Sequence, residues 1–310
     1  GTERGMLPEA LAVLVGTGML VLGSDRTVTG ASTIARERDV SAFFVGVTLV
    51  AIGSSLPEIA TAVYGAVYGH GSLVVGHVVG SATSQITLGV GVVALLAPLS
   101  ATREEVATYG AGMVVAMLVM LLAVASGTVT RLQGVIMAFA YLGFVAIRYE
   151  HTDDDEVGSR LSESDTLDHP LVWAVLGIAL VVAGGHLLVT GARSVAAAVG
   201  VPTYLLGLLT GLGTTTPEIV VAALAVRRER GSIAVGTLFG SNITDPLFSL
   251  GVGAAVAPIA VENLDVTLLS VGYMLAVSTA VALAFYRRDE VGRLTGVGCL
   301  LLYVPAPFLG

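Results

Sequence analysis

The sequence predicts an all-α polytopic membrane protein with ten transmembrane helices arranged as two inverted five-helix repeats. Three observations predict it. The 310-residue chain is 55% hydrophobic and only 12% charged, with a mean hydropathy of +0.87, far from the balance of a soluble domain. Apolar runs of about 20 residues, the length that spans a bilayer, recur from end to end. One unusual pattern is written twice inside such runs, as GSSLPE at Gly53–Glu58 and GTTTPE at Gly213–Glu218.

The spans are expected in order at 6–34, 40–69, 72–98, 105–125 and 128–148, then at 170–198, 202–226, 232–259, 265–286 and 292–309. Each is an apolar run bounded by polar or charged residues. Between the fifth and sixth lies the one long polar segment, 149–169, which contains HTDDDEVGSRLSESDTLDH. It divides the chain into a first repeat at 6–148, an acidic linker at 149–169 and a second repeat at 170–309. The copies keep a constant offset of 160 residues over the signature regions: Gly53 with Gly213, Pro57 with Pro217, Glu58 with Glu218, Gly76 with Gly236, Ser81 with Ser241 and Pro98 with Pro258. The first spans echo as well, with Gly23 and Gly30 answering Gly184 and Gly191.

Charge placement predicts orientation. All basic residues are arginines, with no lysine. The connections after odd-numbered spans carry Arg36, Arg38, Arg103, Arg148, Arg160, Arg227, Arg228, Arg230, Arg287, Arg288 and Arg293. The opposite side carries Arg4, Arg131 and Arg193. Positively charged loops stay cytoplasmic, so both termini are expected outside and the 149–169 loop inside, in the cell membrane. Five spans per half is an odd number, so the second copy enters the bilayer in the opposite sense. The repeats are therefore related by a pseudo-two-fold axis in the membrane plane, the architecture of alternating-access transporters.

The repeated segments carry the chemistry. Residues three or four apart share a helix face. Ser54 and Ser55 therefore lie with Glu58, Thr214 and Thr215 with Glu218, Ser81 with Gln85, and Ser241 with Asp245. Pro57 and Pro217 lack an N–H and clash with the carbonyl four residues back, so bare carbonyls are expected around Ala51–Gly53 and Gly211–Gly213. Such carbonyls are tolerated at membrane depth only where they line a polar cavity. Carboxylates, hydroxyls, an amide and carbonyls, with no His or Cys among them, make a hard oxygen set suited to Ca2+ or Na+. Glu58, Glu218 and Asp245 bring up to three negative charges, which cannot persist unpaired in a low-dielectric setting. One divalent ion plus a proton, or three monovalent ions, would balance them. Intramembrane acids are functional by default.

Plainer roles are expected elsewhere. The SSLP and TTTP segments can also read as ordinary kinks whose hydroxyls re-satisfy the backbone. Asn242, opposite Ala82 in the first copy, is expected to hydrogen-bond between helices. His70, His77 and His186 are expected as loop, interface or packing residues. Asp25 and Arg26 are expected as a local ion pair, and Asp153–Glu156 as a solvated loop, because no calcium-loop spacing surrounds it. Cys299 stands alone, so no intrachain disulfide is possible. Nothing basic enough for nucleic acid appears at a net charge of −8, and no cleavable secretion signal is evident.

These residues resemble the calcium/cation antiporter superfamily, and within it the prokaryotic sodium/calcium exchangers. GSSLPE and GTTTPE are similar to that family's G-[TS]-S-x-P-E. GHVVGSATSQI and GTLFGSNITDP are similar to its G-x-x-x-G-S-N-x-x-[ND]. The resemblance covers essentially the whole chain. It implies Glu58 and Glu218 as central acidic ligands, with oxygens from Ser54, Ser55, Thr214 and Thr215 around them. Ser81, Gln85, Ser241 and Asp245 would complete the cluster, with backbone carbonyls of Ala51 and Gly211. It implies exchange of cytoplasmic Ca2+ for external Na+, with the first and sixth spans sliding across the remaining bundle. Two departures reshape one side of the pocket: Ala82 stands where the family has Asn, and Gln85 where it usually has Asn.

The expected function is secondary active Ca2+/Na+ antiport, with H+-coupled Ca2+ antiport as the alternative. No enzyme activity and no cofactor is expected, the transported Ca2+ and Na+ (or H+) being cargo. Expected partners are membrane lipid and inorganic cations, not nucleic acid. An intramembrane hydrolase using two carboxylates as acid and base is the reading from another class. It is disfavoured because the hydroxyls are duplicated symmetrically rather than specialised. A passive channel is disfavoured because inverted repeats with midplane acids imply occlusion.

Overall fold

A computed structural model of the chain describes residues 3–37, 55–149, 168–227, 231–288 and 290–308. The first part of the expected second span and most of the acidic linker lie outside the described residues. Ten helices follow among those residues: α1 (Glu3–Glu37), α2 (Leu56–Val67), α3 (Gly71–Leu96), α4 (Arg103–Ala125), α5 (Arg131–Tyr149), α6 (Pro170–Val199), α7 (Thr203–Arg227), α8 (231–256), α9 (Leu264–Arg287) and α10 (Arg293–Tyr303). Five of them, α1, α3, α4, α6 and α9, are long and apolar enough to cross a membrane. Local signals explain several boundaries. Thr102 and Glu105 form a reciprocal capping box that starts α4. Pro57 sits in the first turn of α2, where its missing N–H costs nothing. Gly200, in the left-handed region at φ 74°, ends α6.

The packing displays the inverted repeat. The first spans of the two halves, α1 and α6, lie against each other along a glycine seam. A methyl group at Gly23 would meet the Gly177 carbonyl oxygen at 2.7 Å, and one at Gly184 would meet the Gly16 carbonyl oxygen at 2.8 Å. Glycine is required at these crossings, because only a bare Cα lets two backbones approach so closely. Early residues of α1 face late residues of α6, so the two run antiparallel. Corresponding spans with opposite sense are what an in-plane two-fold axis demands.

Mates that do not share a position pair the other way. α3, the third span of the first half, packs on α7, the second span of the second half. There Gly76 approaches Tyr204 and Gly80 approaches Leu208, so the residues advance together and the helices are parallel. α2 packs in turn on the last turns of α8. The same exchange occurs further out. Gly134 of α5 abuts Gly251 of α8, and Gly296 of α10 abuts Gly91 of α3. Even the connections obey it. Thr128–Val129 (β1) pairs antiparallel with Ile259–Ala260 (β2), and Leu99 bridges Val291 as the mirror image of that pairing.

The hub is α3. Its most apolar window is 83% buried, against 22% for α1. Large apolar side chains of the outer helices, such as Leu122, Phe139, Leu171 and Leu294, are exposed on the outside of the bundle. A soluble protein would pay for that surface in water; a bilayer solvates it. The driving force for helix association is then close packing and internal polar contacts rather than hydrophobic burial. The polar residues accordingly gather inside, on α2, α3, α7 and α8.

Candidate cation site

α3 and α8 change pitch at the same place. Each contains one wide turn of π-helix, at Gln85–Gly89 and at Asp245–Ser249. Pro246 explains the second, since it cannot donate to the preceding turn. The first has Ile86 at the matching position and keeps the wide turn without a proline. Such turns re-aim side chains and favour functional sites. Both begin at the residue that the sequence singles out: Gln85 in one half, Asp245 in the other.

A buried polar chain crosses from α3 to α7 and α8. The Ser81 hydroxyl donates to Asp245 Oδ2 at 2.6 Å and lies 2.9 Å from Thr215 Oγ1. Gln85 Nε2 donates to Asp245 Oδ2 and to Ser81 Oγ, each at 3.3 Å. Asn242 Nδ2 donates to Gln85 Oε1 at 2.8 Å. The interhelical role expected of Asn242 is thus observed.

The carboxylates are under-satisfied. Glu58 is fully buried, and among the described residues neither of its oxygens has a hydrogen-bond partner. Glu218 Oε2 and Asp245 Oδ1 are likewise buried and unpartnered. Glu58 lies within electrostatic reach of both Glu218 and Asp245. The Thr214 hydroxyl approaches Glu58 but falls short of hydrogen-bond geometry. No three acid, histidine or cysteine side chains among the described residues converge tightly enough to form a metal cage by themselves. Three acids therefore face one interior region at a distance, with hydroxyls between them. Buried anions left this way are costly unless a cation joins them. The donor set is oxygen throughout, which fits a hard cation.

The other expected residues fall as follows. Ser55 is buried at the start of α2, and Ser241 is buried on α8 one turn before Asp245. Ala51 and Ser54 lie outside the described residues. The bare carbonyl expected at Gly211 is not bare. α7 runs unbroken from Thr203 to Arg227, and the Gly211 oxygen accepts the hydroxyls of Thr215 at 2.8 Å and Thr214 at 3.1 Å. Hydroxyls satisfy that carbonyl, as the kink reading held.

Family membership rests on the match along the chain. It matches the sodium/calcium exchanger protein family over residues 9–150 and 169–306. The chain belongs to that family. This exchanger-family chain is 32% identical to CaxA of Alkalimonas amylolytica over 307 residues, covering 96% of each chain. It is 28% identical over 336 residues to the sodium/calcium exchanger MaX1 of Methanosarcina acetivorans, covering 95% of this chain and 96% of that one. The solved structure of the sodium/calcium exchanger from Methanococcus jannaschii superposes with a TM-score of 0.61 at 27% identity, covering 98% of each chain.

One histidine of this family member takes the interface place among those expected of it. His77 is fully buried on α3, with Nδ1 3.1 Å from Thr210 Oγ1 and Nε2 3.4 Å from Thr214 Oγ1. It joins α3 to α7 beside Thr214, whose hydroxyl approaches Glu58. His186 does behave as expected, hydrogen-bonded to the Tyr68 hydroxyl at 2.9 Å. Arg26 pairs weakly with Asp25 at 3.8 Å and lies over the Trp173 ring, which ties α1 to α6.

Proposed function

We propose that this chain exchanges Ca2+ for Na+ across the cell membrane by alternating access, binding one or the other cargo between α2, α3, α7 and α8. One observation carries the reading: a fully buried Glu58 whose two oxygens are unpartnered among the described residues, beside two further buried carboxylates that each keep an oxygen unpartnered there. Those oxygens have no use in a resting apolar core, and a hard cation satisfies them all. Family membership, the relative named as a sodium/calcium exchanger and the likeness to the Methanococcus jannaschii exchanger support Na+ and Ca2+ as the cargo. Nothing in them favours H+ coupling.

The ligand set in this reading is Glu58, Glu218 and Asp245 for charge, with Ser55, Ser81, Thr214, Thr215 and Ser241 as hydroxyl donors of oxygen. Ser54 and Ala51 complete it, while the Gly211 carbonyl holds the Thr214 and Thr215 hydroxyl hydrogens. With their hydrogens on the Gly211 oxygen, the Thr214 and Thr215 hydroxyls keep lone pairs to offer a cation. The chain works as a transporter and carries out no covalent chemistry. Both termini face outward and the 149–169 loop faces the cytoplasm, by the arginine distribution. The glycine seam lets α1 and α6 move as one body against the remaining helices. Lipid and inorganic cations are its partners, and nucleic acid is not.

The test uses the purified chain in liposomes, with Na+, K+ or H+ gradients imposed separately and radioactive Ca2+ as the readout. Saturable Ca2+ uptake driven by an outward Na+ gradient is expected. Uptake driven by a pH gradient without Na+ would reject sodium coupling, and unchanged flux in both Glu58→Gln and Glu218→Gln would reject the site.

A further inference from the structure

We infer that Asn242 and Gln85 form a positioning relay that fixes Asp245 as a one-sided ligand, with Gln85 presenting its amide N–H, not its oxygen, to the site. The inference rests on the cation-exchange reading above and specifies which atoms of that site serve the ion.

The orientation of both amides follows from a backbone carbonyl. Asn242 Nδ2 lies 2.9 Å from the Leu238 oxygen as well as 2.8 Å from Gln85. A carbonyl oxygen only accepts, so the Asn242 atom at that position is nitrogen. Its two N–H groups are then used, one on Leu238 and one on Gln85. The Gln85 atom facing it must accept, and is therefore the oxygen. The opposite end of that amide, its NH2, is left facing Asp245 Oδ2 and Ser81 Oγ. With the Ser81 hydroxyl donating to the same atom, Oδ2 receives two donors among the described residues while Oδ1 receives none.

The relay is built once. Position 82, the mate of Asn242 in the first half, is a buried alanine, so the two-fold counterpart of this chain lacks the amide that starts it. The reach also matters. A glutamine has one more methylene than an asparagine, and the extra length lets one side chain touch Asn242 and Asp245 together. Gln85 is thereby withdrawn from the oxygens available to a cation. Asp245 is kept turned toward the site by neutral N–H and O–H groups, whose dipoles stabilise its charge before any cation arrives. Ca2+, which depends on correctly placed carboxylate oxygens, should feel the loss of this aim more than Na+ does.

The experiment compares Asn242→Ala, Gln85→Ala, the double variant, Gln85→Met and Gln85→Asn in the full chain. Ca2+ KM and maximal rate are read in liposomes. The Ca2+ concentration that half-stabilises each purified variant against thermal unfolding is read in parallel. Each alanine variant is expected to raise the Ca2+ KM by roughly tenfold, the loss of about one charge-assisted hydrogen bond, with the maximal rate changed less than about twofold. The double variant should be no worse than the poorer single variant, because both break one chain. Gln85→Met restores volume without a donor, and Gln85→Asn restores an amide too short to span; both should behave like Gln85→Ala. A multiplicative double variant, or recovery of wild-type KM by either Met or Asn, would overturn the relay. The exchange reading fails separately, if the wild-type chain itself gives no Na+-driven Ca2+ flux; the thermal half-stabilisation series then still decides the relay.

Discussion

Ser81 on α3 donates its hydroxyl to Asp245 on α8 across 2.6 Å, joining the two halves of the duplicated chain at their third spans. These residues are not mates under the 160-residue offset; Ser81 mirrors Ser241, and Asp245 mirrors Gln85. The contact is therefore a property of the assembled dimer of repeats, and removing it should be felt at the site rather than in the fold. Ser81→Ala is expected to cost about 1.5–3 kcal/mol at a buried charge, and so to weaken Ca2+ affinity by roughly ten- to a hundredfold. Direct Ca2+ titration of the purified variant checks this, and an unchanged affinity would remove Ser81 from the site.

Glu58 trades stability for function. With cations removed, its carboxyl faces Glu218 and Asp245 with no basic residue among the described residues hydrogen-bonded or ion-paired to it. Glu58→Gln should therefore raise the melting temperature of the cation-free protein, by a few degrees for each kcal/mol of relieved repulsion. The same change should abolish the stabilisation that Ca2+ provides to wild type, about 2.7 kcal/mol at a hundredfold excess over Kd. Thermal melts with and without Ca2+ test both halves of the statement. A variant that melts lower without Ca2+ and still responds to it would make Glu58 a structural residue.

Gly23 and Gly18 give a paired test of the α1–α6 seam. A side chain at Gly23 collides with backbone atoms of Gly177 and Val181, whereas one at Gly18 meets nothing within 4 Å. Gly23→Val is expected to force the helices apart and lower expression and thermal stability sharply. Gly18→Val should be close to neutral. Detergent-solubilised yield and melting temperature of the two variants distinguish the seam from a general intolerance of bulk on α1.

His70, in the connection between α2 and α3, predicts a modest acid sensitivity. Partial burial and the nearby Arg193 lower its pKa, while Glu262 acts in the opposite direction. A lowered pKa means that the unfolded chain binds the proton more readily than the folded one. The contribution is then present above the ordinary histidine range near 6.5 and is lost as pH falls through the depressed value. His70→Gln should flatten the decline in melting temperature between about pH 7 and pH 5, where a histidine titrates. An identical decline in wild type and variant would assign the acid sensitivity to other groups.

Much of this molecule is legible in one dimension. Hydropathy fixes the class, because only long apolar helices satisfy their backbones in lipid. The repeated GSSLPE and GTTTPE, and the odd number of spans in each half, dictate inversion before any contact is known. The acids announce themselves because a charge in an apolar run is too costly to be accidental. What the linear pattern left open is direction and pairing. It placed Gln85 among the oxygen donors because glutamine has an oxygen; the fold turns its N–H to Asp245 because Asn242 and the Leu238 carbonyl take up the rest. It left the Gly211 carbonyl bare because proline follows two turns on; the fold covers it with Thr214 and Thr215. It allowed His77 a loop, interface or packing place, and α7 brings two threonine hydroxyls to its ring, which makes it an interface residue. Composition and periodicity determine which residues are buried in a membrane protein. Which end of an amide or hydroxyl meets which partner depends on distances of a few ångströms between helices far apart in sequence, and tertiary packing alone sets those.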